Sequence, residues 1–327
     1  MKEISDVNLQ MHLLEIEITN RCNLNCKHCY NRNETKIDMS LEEMKEYIQF
    51  ANKYNVSTFV ITGGEACLNK EFREFLKYIA EHRAELKNIK RIVLQSNGLI
   101  EKYIDCLLPN SIDLLHLSFD IDNNTVRKVE SNNILNLSKL LTSKNINNYL
   151  FATVHKNNKD YIEKMSEIAY NNGSKIVFNL CTDNGNNSDI LLNNDEKKKV
   201  YEIILKLQRE GKAVNSRHPY LNCHLGLKTD KYEGIKGGCT AGIASCSILS
   251  DGNVIPCPFL RVSAGNIKNK KLEHIWLNSL VFKELRDRQK FDKCNKCKHL
   301  GYCGGCRSSA YKKYGSLTAF DPGCIIN

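Results

Sequence analysis

Three cysteines close together near the N-terminus have the types and spacing to hold an iron–sulfur cluster. Cys22, Cys26 and Cys29 form a C-x3-C-x2-C motif on one short segment. Their soft thiolates suit iron–sulfur chemistry. Three of them can bind three irons of a cubane, which leaves the fourth iron open to a substrate or cofactor. A zinc loop remains the alternative at this point, although a structural zinc site needs four closed protein ligands.

A second and denser group of cysteines lies near the C-terminus. Eight cysteines fall between positions 239 and 324, which is enough for two four-thiolate sites. They are Cys239, Cys246, Cys257, Cys294, Cys297, Cys303, Cys306 and Cys324. Zinc is again the alternative, because the pairs Cys294/Cys297 and Cys303/Cys306 have the spacing of a compact zinc knuckle.

The cysteine content and the N-terminus indicate the compartment. The chain of 327 residues has fifteen cysteines, an odd number that cannot all be paired. The N-terminus has no apolar signal core, and no apolar run approaches the roughly 18–20 residues of a membrane span. We therefore expect a cytoplasmic protein in a reducing compartment, without a membrane partner. The 47 basic and 37 acidic residues are scattered and form no basic stripe with aromatics, so nucleic-acid binding is not expected.

The elements that must position the first cysteine group alternate between strands and helices. Apolar runs predict strands at Leu13–Thr19, Thr58–Thr62, Arg91–Gln95, Leu114–Phe119, Tyr149–Val154 and Lys175–Leu180. Ser40 and Glu43 form a capping box that begins one helix, and another helix runs from Asp195 to Glu210 before Gly211. Six βα units predict a parallel sheet in a partial, open barrel, because a closed barrel needs eight. Chemistry in such folds collects at the C-terminal ends of the strands, where the first cysteine group lies.

The pattern changes after the sixth βα unit. We expect an α/β partial (β/α)6 barrel over residues 1–211, a connector over 212–238 and a small cysteine-rich α+β domain over 239–327. In the last segment an Asp-Gly turn at Gly252 predicts a hairpin, and Lys271–Gln289 predicts a helix.

Small and polar residues follow the second, third and fourth strands. They are Gly63, Gly64, Glu65, Ser96, Asn97, Ser118 and Asp120. Two adjacent glycines let the backbone approach a ligand closely. Ordinary polar turns that cap the next helix are the alternative.

The cysteine motif after the first strand of a partial barrel resembles the signature of the radical S-adenosylmethionine (radical SAM) superfamily. The resemblance implies a [4Fe–4S] cluster on Cys22, Cys26 and Cys29, with SAM bound at its open iron. It implies that the Gly-Gly-Glu segment binds the methionine amino group. It also implies that the polar residues after the third and fourth strands face the ribose and carboxylate of SAM. The chain departs from the family at Ala66, where Pro is usual.

The later cysteines resemble the SPASM extension of radical SAM enzymes, which carries two auxiliary [4Fe–4S] clusters. The stretches that carry the resemblance run from Cys239 to Gly242, from Asp251 to Cys257 and from Cys303 to Arg307. The resemblance implies one cluster on Cys239, Cys246, Cys257 and Cys306. It implies the other on Cys294, Cys297, Cys303 and Cys324. If Cys246 is not a ligand, the first auxiliary cluster keeps an open iron for substrate.

Two further cysteines near the barrel mouth are candidate catalytic residues. Cys181 ends the sixth strand, and Cys223 lies in the connector. Either could donate a hydrogen atom or hold substrate, and an inert buried thiol is the alternative for both.

The family resemblance implies a radical SAM oxidoreductase that cleaves SAM reductively and takes a hydrogen atom from its substrate. We expect a peptide or protein substrate, matured by thioether or carbon–carbon crosslinks. Oxidative side-chain modification of a tetrapyrrole, a small-molecule substrate in an alternative heme pathway, is the second hypothesis. A non-enzymatic zinc- or cluster-binding module is the third. Sulfatase maturation is less favoured, because Pro258 stands where those enzymes place an Asp that acts as a base. We also expect an electron donor such as flavodoxin or ferredoxin.

Overall fold

One nine-stranded sheet runs through the computed structural model, which describes residues 9–31, 35–121, 126–213 and 238–326. The strands are β1 (Leu13–Glu17), β2 (Thr58–Thr62), β3 (Arg91–Ser96), β4 (Leu114–Ser118), β5 (Asn148–Val154), β6 (Lys175–Leu180), β7 (Ser245–Ile248), β8 (Asn253–Ile255) and β9 (Gly265–Asn266). Within the described ranges their order is β6-β5-β4-β3-β2-β1-β7-β8-β9. Strands β1 to β6 and β7 are parallel, and β8 and β9 are added antiparallel. The predicted partial barrel is confirmed.

Helices follow the strands and cover the outer face of the barrel. They are α1 (Leu41–Lys53), α2 (Phe72–His82), α3 (Ser131–Ser143), α4 (Ile162–Asn171), α5 (Asn194–Arg209), α6 (Leu272–Asn278), α7 (Leu280–Arg286) and α8 (Arg307–Tyr314). A 3-10 segment, Leu99–Cys106, takes the place of a helix after β3. The buried faces of α1 to α7 join the outward side chains of the sheet in one main hydrophobic core.

Alternation along β1 separates two environments, because successive side chains of a strand point to opposite faces. Leu14 and Ile16 are fully buried in the main core with the helices. Glu15 and Glu17 point to the inner face, where a small apolar cluster around Val60 packs separately. The inner face therefore combines an apolar patch with carboxylates close to the C-terminal strand ends.

Most of the predicted elements are confirmed. All six predicted strands are present, with bounds that differ by two residues at most. Ser40 and Glu43 form the predicted capping box at the start of α1. Gly211 follows α5 with a φ of 71°, and Gly252 turns between β7 and β8 with a φ of 88°. Glycine suits both positions because it reaches left-handed backbone conformations without a Cβ clash.

The prediction of one helix over Lys271–Gln289 is wrong. The chain forms α6 and α7 instead, separated at Ser279, whose φ of −58° and ψ of 131° are extended. The break lets Trp276 and Phe282 pack together, with ring centroids 5.0 Å apart. Trp276 Nε1 also donates to the carbonyl oxygen of Leu9 at 2.7 Å. The C-terminal region is thereby tied to the start of the barrel.

The domain boundaries at 1–211, 212–238 and 239–327 stay predictions. All nine described strands belong to one sheet, with β6 at one edge and β9 at the other. Residues 214–237 lie outside the described part of the chain. Among the described helices, none has the length and apolar character needed to cross a membrane.

Candidate active site

The first cysteine group lies on a loop that starts where β1 ends. Asn20 holds the start of this loop by donating Nδ2 to the Thr35 carbonyl at 2.6 Å and accepting from the Ile37 amide at 2.8 Å. Arg21 donates Nε to Asp38 Oδ1 at 3.0 Å and pairs with the same carboxylate through Nη2. These contacts fix the direction in which the loop leaves the strand.

Nitrogen donors point at two of the three sulfurs in this loop. The Leu24 amide lies 3.4 Å from Cys22 Sγ, and the Asn31 amide lies 3.3 Å from Cys29 Sγ. Asn97 Nδ2 lies 3.6 Å from Cys22 Sγ. Hydrogen bonds to sulfur tune iron–sulfur clusters and orient their ligands. This donor set fits a [4Fe–4S] cluster held by three thiolates.

A bound metal would also supply the positive charge that stabilises thiolates in this loop. Burial raises the pKa of Cys26 to about 11, with Arg127 opposing this rise and the neighbouring Cys29 and Cys22 adding to it. A bound metal keeps coordinating thiols deprotonated. Cys26 is therefore suited to be a thiolate when a metal centre is bound.

Two glycines allow the segment after β2 to touch the start of the cysteine loop. The Gly64 amide donates to the Thr19 carbonyl at 2.7 Å, and the Glu65 amide donates to the Arg21 carbonyl at 2.7 Å. A Cβ on Gly64 would collide with the Arg21 carbonyl, and one on Gly63 would lie 2.7 Å from the Thr19 carbonyl oxygen. Only glycine permits this close backbone approach.

The Glu65 carboxylate joins the ends of β2 and β3. It is 1% exposed and accepts hydrogen bonds from Ser96 Oγ at 2.9 Å and the Asn97 amide at 2.7 Å. The thiol of Cys67 donates to it at 3.3 Å, which gives that cysteine a role that its sequence position did not indicate. Burial raises the pKa of Glu65. The carboxylate thus positions Asn97, whose side chain faces Cys22.

The residues after β4 approach the same loop from another side. Asp120 pairs with Arg127 Nε at 2.7 Å, and its Oδ1 accepts from the Thr153 amide at 3.2 Å. Arg127 Nη2 lies 3.3 Å from His28 Nε2, within the cysteine loop. Ser118 ends β4 and is half-buried. Sequence reasoning missed Arg127, because an isolated arginine in a connecting segment follows no pattern.

Cys181 lies directly after β6 and is buried. Its sulfur accepts a hydrogen bond from Asn187 Nδ2 at 3.3 Å, and its side chain packs in a small cluster with Val126 and Ile190. Cys223, the other candidate catalytic cysteine, lies outside the described residues.

Four of the C-terminal cysteines line one cavity. They are Cys294, Cys297, Cys303 and Cys324. The Gly305 amide donates to Cys303 Sγ at 3.3 Å. Asp321 lines the same cavity and accepts from the amides of Cys306 and Gly323. The four ligands predicted for the second auxiliary cluster are therefore brought together.

The other predicted set separates into three cysteines and one. Burial raises the pKa of Cys257, and the neighbouring thiols of Cys239 and Cys306 raise it further. Cys246 is 1% exposed within the main hydrophobic core, and the charged group that most affects its pKa is that of Arg286. The structure thus groups Cys239, Cys257 and Cys306 and does not bring Cys246 to them.

Zinc is the alternative metal for the cysteine sets in the described ranges of the chain. In those ranges no group of three or more His, Cys, Asp or Glu side chains is placed to hold one metal ion. A zinc ion draws its ligands to about 2.0–2.3 Å from one centre, whereas the thiolates around a cubane stand farther apart. The described residues therefore contain no preformed single-ion site.

The fold and the cysteine loop together define a radical SAM enzyme with a C-terminal SPASM domain. The sequence model of the radical SAM superfamily matches residues 16–169. The model of the SPASM iron–sulfur cluster-binding domain matches residues 239–299. The two matched regions thus belong to families whose cofactors are SAM and iron–sulfur clusters.

Known proteins similar to this chain fall into more than one activity. It is 28% identical to the AdoMet-dependent heme synthase of Methanosarcina barkeri, over 96% of each chain. It is 26% identical to AlbA, the antilisterial bacteriocin subtilosin biosynthesis protein of Bacillus subtilis, over 89% of this chain and 66% of that protein. The crystal structure of Streptococcus suis SuiB bound to S-adenosylmethionine has the same fold, with a TM-score of 0.77 and 18% identity over 95% of this chain and 76% of SuiB.

Proposed function

We propose that this radical SAM enzyme matures a peptide or protein by removing a hydrogen atom from it, with thioether or carbon–carbon crosslinks as products. The observation that carries the proposal is the position of β6. Within the described residues β6 pairs only with β5, so it ends the sheet on the side where the barrel is open. An extended peptide can add to such an edge through main-chain hydrogen bonds.

The similarity to AlbA supports a peptide substrate. A bacteriocin is an antibacterial peptide, and AlbA is a protein of its biosynthesis that aligns with most of this chain. The alignment includes both the radical SAM region and the SPASM region, so it is not a likeness of the barrel alone.

The proposal includes three [4Fe–4S] clusters. The first is held by Cys22, Cys26 and Cys29. A second is held by the four cysteines that share the cavity, and a third by Cys239, Cys257 and Cys306 with one iron open. When bound, the first cluster and SAM supply a 5′-deoxyadenosyl radical that takes a hydrogen atom from carbon. The chain's own part is to hold the thiolates, orient SAM and exclude water from the barrel.

Several side chains of the barrel perform that orienting role in the proposal. Asn97, held by Glu65, donates toward Cys22 beside the expected SAM position. Ser96, Ser118 and the backbone of the Gly-Gly-Glu segment would complete the SAM contacts. Asp120 is already neutralised by Arg127, so we assign it to positioning rather than to direct charge pairing with SAM.

The test is production of 5′-deoxyadenosine by protein prepared without oxygen. The protein is incubated with SAM, a reductant or flavodoxin, and peptides encoded beside its gene. We expect 5′-deoxyadenosine and, by mass spectrometry, a peptide that has lost two hydrogens for each crosslink. One would be the hydrogen atom taken by the 5′-deoxyadenosyl radical, and the other would leave as a proton, with its electron accepted by an auxiliary cluster. Absence of 5′-deoxyadenosine when all three clusters are loaded would contradict the enzymatic proposal.

Tetrapyrrole modification is the second candidate, favoured by one specific observation. The heme synthase of M. barkeri aligns over 96% of both chains, whereas AlbA extends well beyond the aligned region. Under this hypothesis the substrate is a tetrapyrrole, and the enzyme modifies its side chains oxidatively. The same assay with an iron porphyrin tetrapropionate distinguishes the two, because only one substrate changes mass.

The proposal also implies an electron donor and reducing conditions for the enzyme. Reductive cleavage requires an electron donor such as flavodoxin or ferredoxin, and reduced clusters require the low-oxygen, reducing conditions of the cytoplasm. Both remain parts of the proposal.

A further inference from the structure

We propose that Asn184 is a positioning residue for the first cluster, because its side chain, in the loop after β6, clamps the cysteine loop that follows β1. The inference rests on the proposed cluster at Cys22, Cys26 and Cys29 and is independent of the substrate. Asn184 lies in the loop after β6, 157 residues along the chain from Lys27, which it contacts.

The clamp consists of two hydrogen bonds from one amide group. Asn184 Nδ2 donates to the carbonyl oxygen of Lys27 at 2.9 Å and to that of Cys29 at 2.7 Å. These carbonyls belong to the peptide units that follow Lys27 and Cys29, so the bonds hold the backbone before His28 and after Cys29. A primary amide has two donor hydrogens, and both are used here.

The orientation of the amide follows from its other contact. Asn184 Oδ1 accepts from the Asn186 amide at 2.9 Å. Reversing the amide would place its oxygen against two carbonyl oxygens and its NH2 group against an N–H donor. Only the observed orientation satisfies all three contacts.

The loop that carries Asn184 is itself anchored. The backbone N–H of Asn184 donates to Asn187 Oδ1 at 3.0 Å, and Asn187 is fully buried. Asn187 Nδ2 in turn donates to the Thr182 carbonyl at 3.0 Å and toward Cys181 Sγ at 3.3 Å. The clamp is therefore built on the buried end of β6 and not on a free loop.

Two further contacts hold the same part of the cysteine loop. The Lys27 amide donates to the Val126 carbonyl at 3.1 Å, and the Lys27 ammonium pairs with Asp189. The Lys27–Asp189 pair is largely exposed, so it contributes little energy. Of these contacts, the half-buried Asn184 bond is the one that reaches the carbonyl of Cys29.

The consequence concerns Cys29 directly. Its sulfur already accepts from the Asn31 amide at 3.3 Å, and its carbonyl is fixed by Asn184. Because both the sulfur and the carbonyl of Cys29 are held by hydrogen bonds, the side chain presents its sulfur in one direction. Loss of the clamp would let Cys29 rotate, and partners that orient metal ligands typically contribute about 10- to 100-fold to metal affinity or activity.

The sharpest variant is Asn184→Asp, which keeps the shape and Oδ1 but places an oxygen against the two carbonyls. The matched control is Asn186→Asp, the same change on an exposed neighbour whose backbone amide, not its side chain, makes the contact. Both proteins are prepared without oxygen as full chains. The readouts are iron content, the electron paramagnetic resonance spectrum of the reduced first cluster, the affinity for SAM, and 5′-deoxyadenosine formation without substrate.

We expect Asn184→Asp to change the spectrum of the first cluster or lose its iron, and to weaken SAM binding and 5′-deoxyadenosine formation about 10- to 100-fold. Asn186→Asp should match the unmodified protein. If Asn184→Asp does not fold, Asn184→Ala removes the donors without adding a carboxylate and is judged by the same measures. A wild-type spectrum and SAM affinity in either foldable Asn184 variant would overturn the inference. An unmodified protein that holds no first cluster would instead refute the proposed function.

Discussion

Glu17 and Arg261 form an ion pair in which Oε2 and Nη2 lie 3.2 Å apart. Glu17 ends β1 of the barrel, whereas Arg261 follows Cys257 in the SPASM region. The ion pair therefore joins the barrel to the SPASM region. Glu17 Oε1 also accepts from Ser250 Oγ at 3.3 Å. Burial raises the pKa of Glu17 even with Arg261 beside it. Removing the arginine would therefore leave a buried carboxylate without its cation.

Arg261→Gln is expected to destabilise the folded protein by about 2–3 kcal/mol near neutral pH. The value is lower than the roughly 3–5 kcal/mol of a fully buried pair, because the Arg261 side chain is 24% exposed. Without Arg261 the folded-state pKa of Glu17 rises further above 4.5. The stability linked to Glu17 is then present below that value and is lost as the pH rises through the folded pKa. Unfolding without oxygen, followed across this pH range, measures the effect.

The control for this prediction is the double variant Glu17→Gln/Arg261→Gln. It removes the buried charge together with its partner, so most of the lost free energy of unfolding should return and the added pH dependence should vanish. An Arg261→Gln protein that unfolds like the wild type at every pH would show that the pair has no net effect.

Cys246→Ala should leave the iron content of the protein unchanged. Cys246 pairs in register with Leu14 of β1, and both side chains lie in the main core, away from Cys257. The substitution should lower the free energy of unfolding by about 1–2 kcal/mol through the small cavity it creates. Cys257→Ala is the comparison and should lose up to about four irons for each chain, the content of one cubane. Equal iron loss in the two variants would restore Cys246 as a ligand.

Cys26→Ala should abolish SAM cleavage and remove up to about four irons for each chain. Cys26 is one of only three thiolates available to the first cluster, so the remaining two cannot hold it tightly. Cys106→Ala is the matched control, since Cys106 is a buried cysteine in the 3-10 segment after β3 and belongs to none of the cysteine sets. The measurements are iron, sulfide and 5′-deoxyadenosine. Retained activity in Cys26→Ala would remove the basis of the proposed mechanism.

The elements of the barrel could be predicted because each strand is a short apolar run and each helix has one apolar face. Capping signals at Ser40 and Gly211 gave some helix ends to within a residue. The parallel pairing of β7 with β1 could not be predicted, because local pattern does not show which distant strand a hairpin joins. The sequence also did not indicate the break at Ser279, because α6 and α7 both bury apolar residues at helical spacing.

The site was predictable to a similar degree. Cysteine spacing identified the first loop and the cavity set, since close ligands on one loop remain close in the fold. The supporting contacts were not predictable. Asn184 and Arg127 reach the cysteine loop from connecting segments far along the chain, and asparagine is too common in this sequence to mark one position. Cys246 shows the converse limit, because spacing alone cannot tell a ligand from a core thiol.

The protonation state of Cys181 gives the last prediction. Burial raises its pKa to about 12, although Asn187 donates to the sulfur and opposes the rise. At about pH 8 only one molecule in roughly ten thousand then carries the thiolate, the form that reacts with alkylating reagents. Iodoacetamide should therefore leave Cys181 unmodified in the folded protein, and its rate should increase about tenfold for each pH unit up to the pKa.

Peptide mapping by mass spectrometry measures this modification, with protein unfolded in urea as the control in which Cys181 must react. Rapid alkylation of folded protein at neutral pH would show that the thiol is ionised and exposed. A thiol whose pKa is raised to about 12 keeps its hydrogen at neutral pH. That is the form a hydrogen-atom donor requires, and it excludes Cys181 as a nucleophile or as a thiolate that holds substrate. Slow alkylation would thus leave two roles for Cys181, packing at the end of β6 or hydrogen donation, which Cys181→Ala separates by its effect on product formation.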